Sequence, residues 1–124
     1  NKALLKLNGL TTIERCLLNC LEAKIPSITV LATSSTKKDG QLGNFTIKNK
    51  VKFFQGSGDD PALRMQKSAK KYGIDIIVRV TGDSPLISYE LIDYLLDSHI
   101  KVGADFSYFN NTTFCVLRLS FDII

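Results

Sequence analysis

Asp83 follows a β-branched run, Ile76-Ile77-Val78-Arg79-Val80, and stands in an abrupt Gly82-Asp83-Ser84-Pro85 turn ahead of a helix-like segment. A carboxylate on the C-terminal lip of a strand is placed to bind, because ligands of open α/β sheets collect outside the carboxyl ends of the strands. Its chemistry is that of a hard oxygen donor, suited to a divalent cation carrying phosphates. The competing reading makes Asp83 a turn former before Pro85. Cys16, Cys20 and Cys115 offer less: they are odd in number, lack a C-x-x-C spacing and have only His99 as company. Cys16 and Cys20 share a helix face at i and i+4, but Ile13, Leu17 and Leu21 interleave with them as in a core stripe. Free, buried thiols are the expectation.

The elements around Asp83 follow from periodicity and punctuation. Thr11-Thr12-Ile13-Glu14 is a capping box that opens a helix with the stripe Ile13, Leu17, Leu18 and Leu21, ending near Lys24 before Pro26. Ile28 to Ala32 is a continuous apolar run that predicts a strand buried on both faces. Lys37 to Lys50 predicts only a short, poor helix, because Gly40, Gly43 and Asn44 oppose it. Val51 to Gln55 predicts a strand; Gly56-Ser57-Gly58 turns the chain, and Asp60 caps a helix with Pro61 at its first position that stops at Gly73. A strand from Asp75 to Val80 and a helix from Ser88 to Gly103 come next. Strands from Asp105 to Phe109 and from Cys115 to Leu119 flank an Asn110 to Thr113 turn. This alternation implies an α/β fold with right-handed crossovers, a mostly parallel sheet and helices on both faces.

With 124 residues, 44% hydrophobic, the chain supplies one core and a single domain spanning residues 1–124. No apolar run approaches the roughly 20 residues needed to cross a bilayer, and the first residues lack the order of a signal peptide, so a cytoplasmic protein without a membrane partner is expected. The net charge of +4 suits an anionic partner. The lysines are scattered and carry no interleaved aromatic platform, which favours a small phosphorylated ligand over nucleic acid.

Three segments together resemble a known family: LLKLNGLTTIERCL, the Ala32-Thr33-Ser34 strand end, and FFQGSGDDPALRMQKSAKKYGIDIIVRVTGDSPLIS. They look like the cytidylyltransferases of surface-sugar synthesis, nearest the spore-coat polysaccharide biosynthesis type and related to the CMP-acylneuraminate and CMP-KDO synthetases. V-R-V-T-G-D-S-P-L-I is the most specific part and F-x-G-S-x-D-D the next. The resemblance implies a Rossmann-like nucleotide-diphospho-sugar-transferase fold and transfer of CMP from CTP to a hydroxyl of a small sugar or sugar acid, with Mg²⁺ and release of pyrophosphate. A homodimer is compatible with it.

Carried over by position, the resemblance makes Asp83 the metal-binding aspartate, whose cation would neutralise charge on the leaving pyrophosphate and help align the attacking hydroxyl. It sets Ala32, Thr33 and Ser34 beside the base and ribose, where the bland alternative is ordinary strand termination. It sets Arg79, Thr81 and Gly82 beside the nucleotide as well, although Arg79 has Asp75 and Asp59 as alternative partners. Gly56, Ser57 and Arg64 border the same pocket near a helix N-terminus that favours anions. Asp60 is better explained as an N-cap.

The pattern also fails in places. The family begins with a strand and an R-x-x-S-x-R-L-P-G-K loop that holds the triphosphate; Asn1-Lys2 match only its last two residues, leaving Lys2 as its sole phosphate-contact candidate. The first strand of the family is therefore missing here, there is no initiator methionine, and an unpaired gap is expected beside Ile28 to Ala32 and Ile76 to Val80. Leu10 stands where a lysine is usual, and Cys115 and Leu117 replace acids of a G-x-D-V-E-V-F-S pattern. The expectation is a fragment of a cytidylyltransferase with little turnover of its own. The alternative is a non-catalytic remnant that serves subunit association or ligand sensing.

Overall fold

The computed structural model describes residues 2–110 and 114–119. In chain order, a 3₁₀ turn (Lys2–Leu4) leads to β1 (Lys6–Leu7), β2 (Leu10–Thr11), α1 (Thr12–Glu22), β3 (Val30–Ser34) and α2 (Lys37–Gly40). A second 3₁₀ turn (Gln41–Phe45), β4 (Lys52–Gly56), α3 (Pro61–Tyr72), β5 (Ile76–Val80), α4 (Tyr89–Val102), β6 (Phe106–Tyr108) and β7 (Phe114–Arg118) follow. The expected α/β alternation is present. The turn expected over Asn110 to Thr113 lies, beyond Asn110, outside the described residues.

Local chemistry sets the helix ends. The Thr11 hydroxyl accepts from Glu14 N–H at 3.2 Å while Glu14 Oε1 accepts from Thr11 N–H at 3.0 Å, completing the capping box. Asp60 Oδ1 accepts from Leu63 N–H at 3.0 Å, and Ser88 Oγ accepts from Leu91 N–H at 3.2 Å. Gly73 and Gly103 end α3 and α4 at φ 65° and 72°, a left-handed conformation that costs glycine nothing.

The strands form separate small sheets. β3 and β4 are parallel, with Val30 opposite Lys52 and Ser34 opposite Gly56. β5, β7 and β6 lie in that order, both pairings antiparallel, and β1 and β2 make a short antiparallel hairpin. The parallel pairing expected from the crossovers is realised in β3–β4 alone among the described pairings; the other three are antiparallel, where the sequence predicts a mostly parallel sheet. β3 lies two residues later than the expected Ile28 to Ala32: Thr33 and Ser34, which resemble terminators, remain in the ladder. β-branched Thr33 suits a pleated strand, and Ser34's hydroxyl is held by Asp39 and Thr36.

Two apolar clusters share α1. Ile13 and Leu17 pack with Leu31, Leu42 and Val51, whereas Cys16 packs with Ile92, Leu95, Leu96, Phe114 and Val116. Asp93 ties the chain between α1 and β3 to α4, its carboxylate accepting from Lys24 N–H and Ile25 N–H, each at 2.9 Å. Among the described residues β3 is paired only with β4 and β5 only with β7, as the expected gap requires, and residues of both strands line a cavity of about 700 Å³. Among the described residues, no helix is long and apolar enough to cross a membrane.

His99, on α4, is 1% exposed, with Nδ1 2.8 Å from Ser107 Oγ and no partner for Nε2 among the described residues. Burial pushes its pKa below the ordinary imidazole range, and the charge of Arg118 adds to this against a smaller opposing effect of Asp105. A depressed folded-state pKa gives stability that is complete above the unfolded value, about 6.5, and is lost as pH falls through the folded value. The denaturant midpoint is therefore expected to fall between about pH 7 and pH 5, a step that His99→Leu removes. An unchanged pH dependence in that variant would show that His99 is not responsible.

Candidate functional site

The C-terminal ends of β3, β4 and β5 are built by different devices. At the end of β3, Ser34 Oγ donates to Asp39 and lies 3.0 Å from Thr36 Oγ1, while Gln55 Nε2 donates to Ser34 O at 3.1 Å. At the end of β4, Ser35 N–H donates to Gly56 O at 2.9 Å, and a Cβ on Gly58 would stand 3.4 Å from Ser34 Cβ. The two strand ends thus make one lip. Arg64 Nη1 reaches back from α3 to Ser57 O at 2.6 Å, and its Cγ and the Phe54 ring leave no room for a side chain at Gly56.

The turn after β5 is held from inside and from behind. Thr81 and Ser84 hydroxyls lie 3.0 Å apart, and Ser84 N–H donates to Thr81 O at 3.1 Å. From α1, Asn19 Nδ2 donates to Pro85 O at 2.9 Å, Cys16 Sγ lies 3.7 Å from Thr81 O, and Ile13 Cδ1 is 3.0 Å from where a Gly82 Cβ would be. Gly82 therefore lets α1 approach the turn. Asp83 projects beyond it, exposed to solvent.

Of the residues singled out in the sequence, Ala32, Thr33, Arg64, Arg79, Thr81 and Gly82 line one cavity, the one that residues of both β3 and β5 line. Gly56, Ser57 and Ser34 belong to the adjoining lip, and Asp83 follows the last cavity residue of its turn. Lys2 is exposed and does not line the cavity, although its neighbour Ala3 does. Among the described residues, Arg79 makes no ion pair with Asp75 or Asp59. Asp60 is the N-cap of α3, as its bland reading held.

Reasoning from sequence missed three supports: Asn19, which tethers the turn; Asp39, which fixes Ser34; and Gln55, which holds the same strand end. Asn19 lies one turn after Arg15 on α1 but has no local signature, because its partner is 66 residues away. Cys16, Cys20 and Cys115 are free thiols as expected, but only Cys16 is buried and the other two are half-buried; Cys16 and Cys20 line the cavity wall. The Cys16 thiol is pushed well above the ordinary range, first by its hydrogen bond with Cys20 and then by burial, so it stays protonated.

No cluster of three or more metal-ligating His, Cys, Asp or Glu side chains exists among the described residues. That excludes a dedicated cage there. Mg²⁺ needs no such cage, because it keeps several waters and takes one or two carboxylates plus substrate phosphates. Asp83, exposed at the rim of a cavity with Arg64 and Arg79 in its lining, has the oxygen donors that such an ion takes.

The sequence profile of the cytidylyltransferase family matches residues 1–118. An uncharacterised protein of Methanocaldococcus jannaschii is 35% identical over 106 residues, 86% of this chain and 44% of that relative. The spore coat polysaccharide biosynthesis protein SpsF of Bacillus subtilis is 33% identical over 82 residues, 66% of this chain and 34% of its own length. A cytidylyltransferase structure from Leptospira borgpetersenii superposes with TM-score 0.86 at 28% identity, covering 94% of this chain and 53% of that one. The structure of CMP:2-keto-3-deoxy-manno-octonic acid synthetase complexed with CTP superposes with TM-score 0.69 at 21% identity, over 83% of this chain and 42% of that one. The chain spans about half or less of the length of each of these proteins.

Proposed function

This chain belongs to the cytidylyltransferase family, and from that premise we propose that it binds CTP at the strand-end cavity for CMP transfer to a sugar or sugar acid of cell-surface polysaccharide. The observation that carries the reading is the convergence of Ala32 and Thr33, of Thr81 and Gly82, and of Arg64 on one cavity with Asp83 at its rim. In the proposed reaction a sugar hydroxyl oxygen forms a bond to the α-phosphorus. The bridging oxygen to the β-phosphorus leaves with pyrophosphate, and the hydroxyl proton passes to solvent. Mg²⁺, when bound, neutralises phosphate charge.

The protein's own residues bind and orient. Thr33 and the backbone around Ala32 offer polar edges to the base and ribose, with Ser34 immobilised beside them by Asp39. Arg64 and Arg79 supply positive charge to the phosphates, and Gly56 and Gly82 permit close approach of neighbouring groups. A location in the cytoplasm is supported by three free cysteines, which suit a reducing compartment. A homodimer is supported by exposed Phe106 and Tyr108 on edge strand β6.

Calorimetric titration with each nucleoside triphosphate in the presence of Mg²⁺ tests the reading. CTP is expected to bind at least about tenfold more tightly than the others, a difference of about 1.4 kcal/mol. Equal affinities would sink the cytosine assignment, and absence of all binding would sink the site. The polypeptide Asn1–Ile124 by itself is expected to release little pyrophosphate, since only Lys2 among these residues matches the family's triphosphate loop and each lost stabiliser costs about 10²-fold to 10³-fold in rate. A second reading, a remnant that binds without turnover, is favoured by Cys115 and Leu117, which sit in the ladder opposite Arg79 and Ile77 where the resemblance leads one to expect acids.

A further inference from the structure

Arg15 and Asn19 stand four residues apart on α1, so their side chains leave the same face of the helix, about 5–6 Å apart at Cβ. They serve different segments of the chain. Arg15 Nε donates to Leu7 O at 2.7 Å, and its Nη2 donates to Leu7 O and, at 3.1 Å, to Asn8 O, at the tip of the β1–β2 hairpin. Asn19 Nδ2 donates to Pro85 O, two residues after Asp83. The hairpin is held at its base as well: Leu5 O accepts from Thr12 N–H at 2.8 Å and from the Thr12 hydroxyl at 3.0 Å, and Leu5 N–H donates to Lys2 O at 3.3 Å. One helix thus grips the chain that leads out of Lys2 and the chain that leads out of Asp83. Helix stability explains neither side chain. Asparagine is a weak helix former away from the caps, and Arg15 makes no ion pair among the described residues. A planar, rigid guanidinium spent on two neutral carbonyls fixes a geometry rather than balancing a charge.

We propose that Arg15 and Asn19 are positioning residues, which hold the Lys2 segment and the Asp83 turn in one frame so that the phosphates of one nucleotide meet both. The inference rests on the CTP reading of the cavity, whose lining includes Ala3 next to Lys2 and Thr81 and Gly82 just ahead of Asp83. Neither side chain touches the ligand in this arrangement; each acts through a main-chain carbonyl. The frame matters because Mg²⁺ demands near-octahedral oxygen geometry. A misplacement of about 1 Å costs on the order of 10²-fold in rate at a reacting centre.

The test titrates Mg²⁺-CTP against the 124-residue chain and its Asn19→Leu, Asn19→Gln, Arg15→Lys and Asn19→Leu/Arg15→Lys variants, with the thermal midpoint of each measured in parallel. Leucine suits a half-buried helix position, so Asn19→Leu should keep or raise the midpoint. It should nevertheless lower affinity about tenfold, as loss of a group behind a metal ligand does. Asn19→Gln keeps an amide donor and should recover most of that loss. Arg15→Lys keeps the charge without the fork and should weaken binding about threefold to tenfold, the size of one lost hydrogen bond. The double variant should bind no more than about twofold more weakly than the weaker single variant, since cutting either end already opens the frame. Additive losses would mean two separate roles, and losses that follow the thermal midpoint would mean support of the fold alone. An Arg15→Lys variant that binds as the parent does would make Arg15 a charge and nothing more. Each of these outcomes overturns the proposal while the parent still binds CTP. A folded parent chain that does not bind CTP overturns the nucleotide reading itself, so the two failures are distinguishable.

Discussion

Asp83→Ala is expected to erase the Mg²⁺-dependent part of CTP affinity, a loss of about 10-fold to 100-fold, while leaving the thermal midpoint nearly unchanged. The carboxylate is exposed, and the turn that carries it is closed by Thr81, Ser84 and Asn19 rather than by Asp83. Removing it therefore costs little fold stability, as is usual for surface positions. Its effect falls on the cation instead, because Mg²⁺ at such a site depends on one or two carboxylates and the ligand's phosphates. Asp83→Asn separates the two readings of this residue. Asparagine serves a turn as well as aspartate does, so a turn former would be rescued by it, whereas a cation ligand would not. CTP titrations that are identical for the parent chain and both variants, with and without Mg²⁺, would remove Asp83 from the site.

The parts of this molecule legible in its sequence are those fixed within a few residues. The capping box at Thr11, the Asp60-Pro61 start, the Gly73 and Gly103 stops and the Gly82-Asp83-Ser84-Pro85 turn all stand where residue types placed them. Boundaries that depend on a distant partner were less legible. β3 runs on to Ser34 because β4 offers it a ladder as far as Gly56. Thr33 and Ser34 read as terminators only while that partner is out of view.

The β1–β2 hairpin is hard to read in the sequence for another reason. Its strands are two residues long, yet Asn8-Gly9, both at positive φ (52° and 88°), is the turn pair such hairpins prefer. The signal was there, without flanking periodicity to support it. The candidate site behaves likewise: strand ends and likeness point to Ala32, Thr33, Arg64, Arg79, Thr81 and Gly82, and these residues line one cavity. Their supports, Asn19, Asp39 and Gln55, act through single hydrogen bonds that no spacing rule announces.

Those supports imply that packing behind the turn controls the site, and Ile13 is where this is expected to show most. Ile13 is 2% exposed, packs with Leu17, Leu31, Leu42 and Val51, and sets its Cδ1 against Gly82. Ile13→Ala should cost about 2–5 kcal/mol, the usual range for opening a cavity in a packed core. Against a total stability of about 5–15 kcal/mol that is a large share, readable as a lower denaturant midpoint. The same void releases Gly82, so the Thr81–Pro85 turn loses its backing and Mg²⁺-CTP affinity should fall several-fold even at temperatures where the variant is fully folded. Val51→Ala supplies the comparison: Val51 is 3% exposed in the same cluster but is not a neighbour of Gly82. It should lower stability and leave CTP affinity unchanged. Equal losses of CTP affinity in the two variants would mean that binding follows global stability, and the contact between Ile13 and Gly82 would then have no separate role in positioning Asp83.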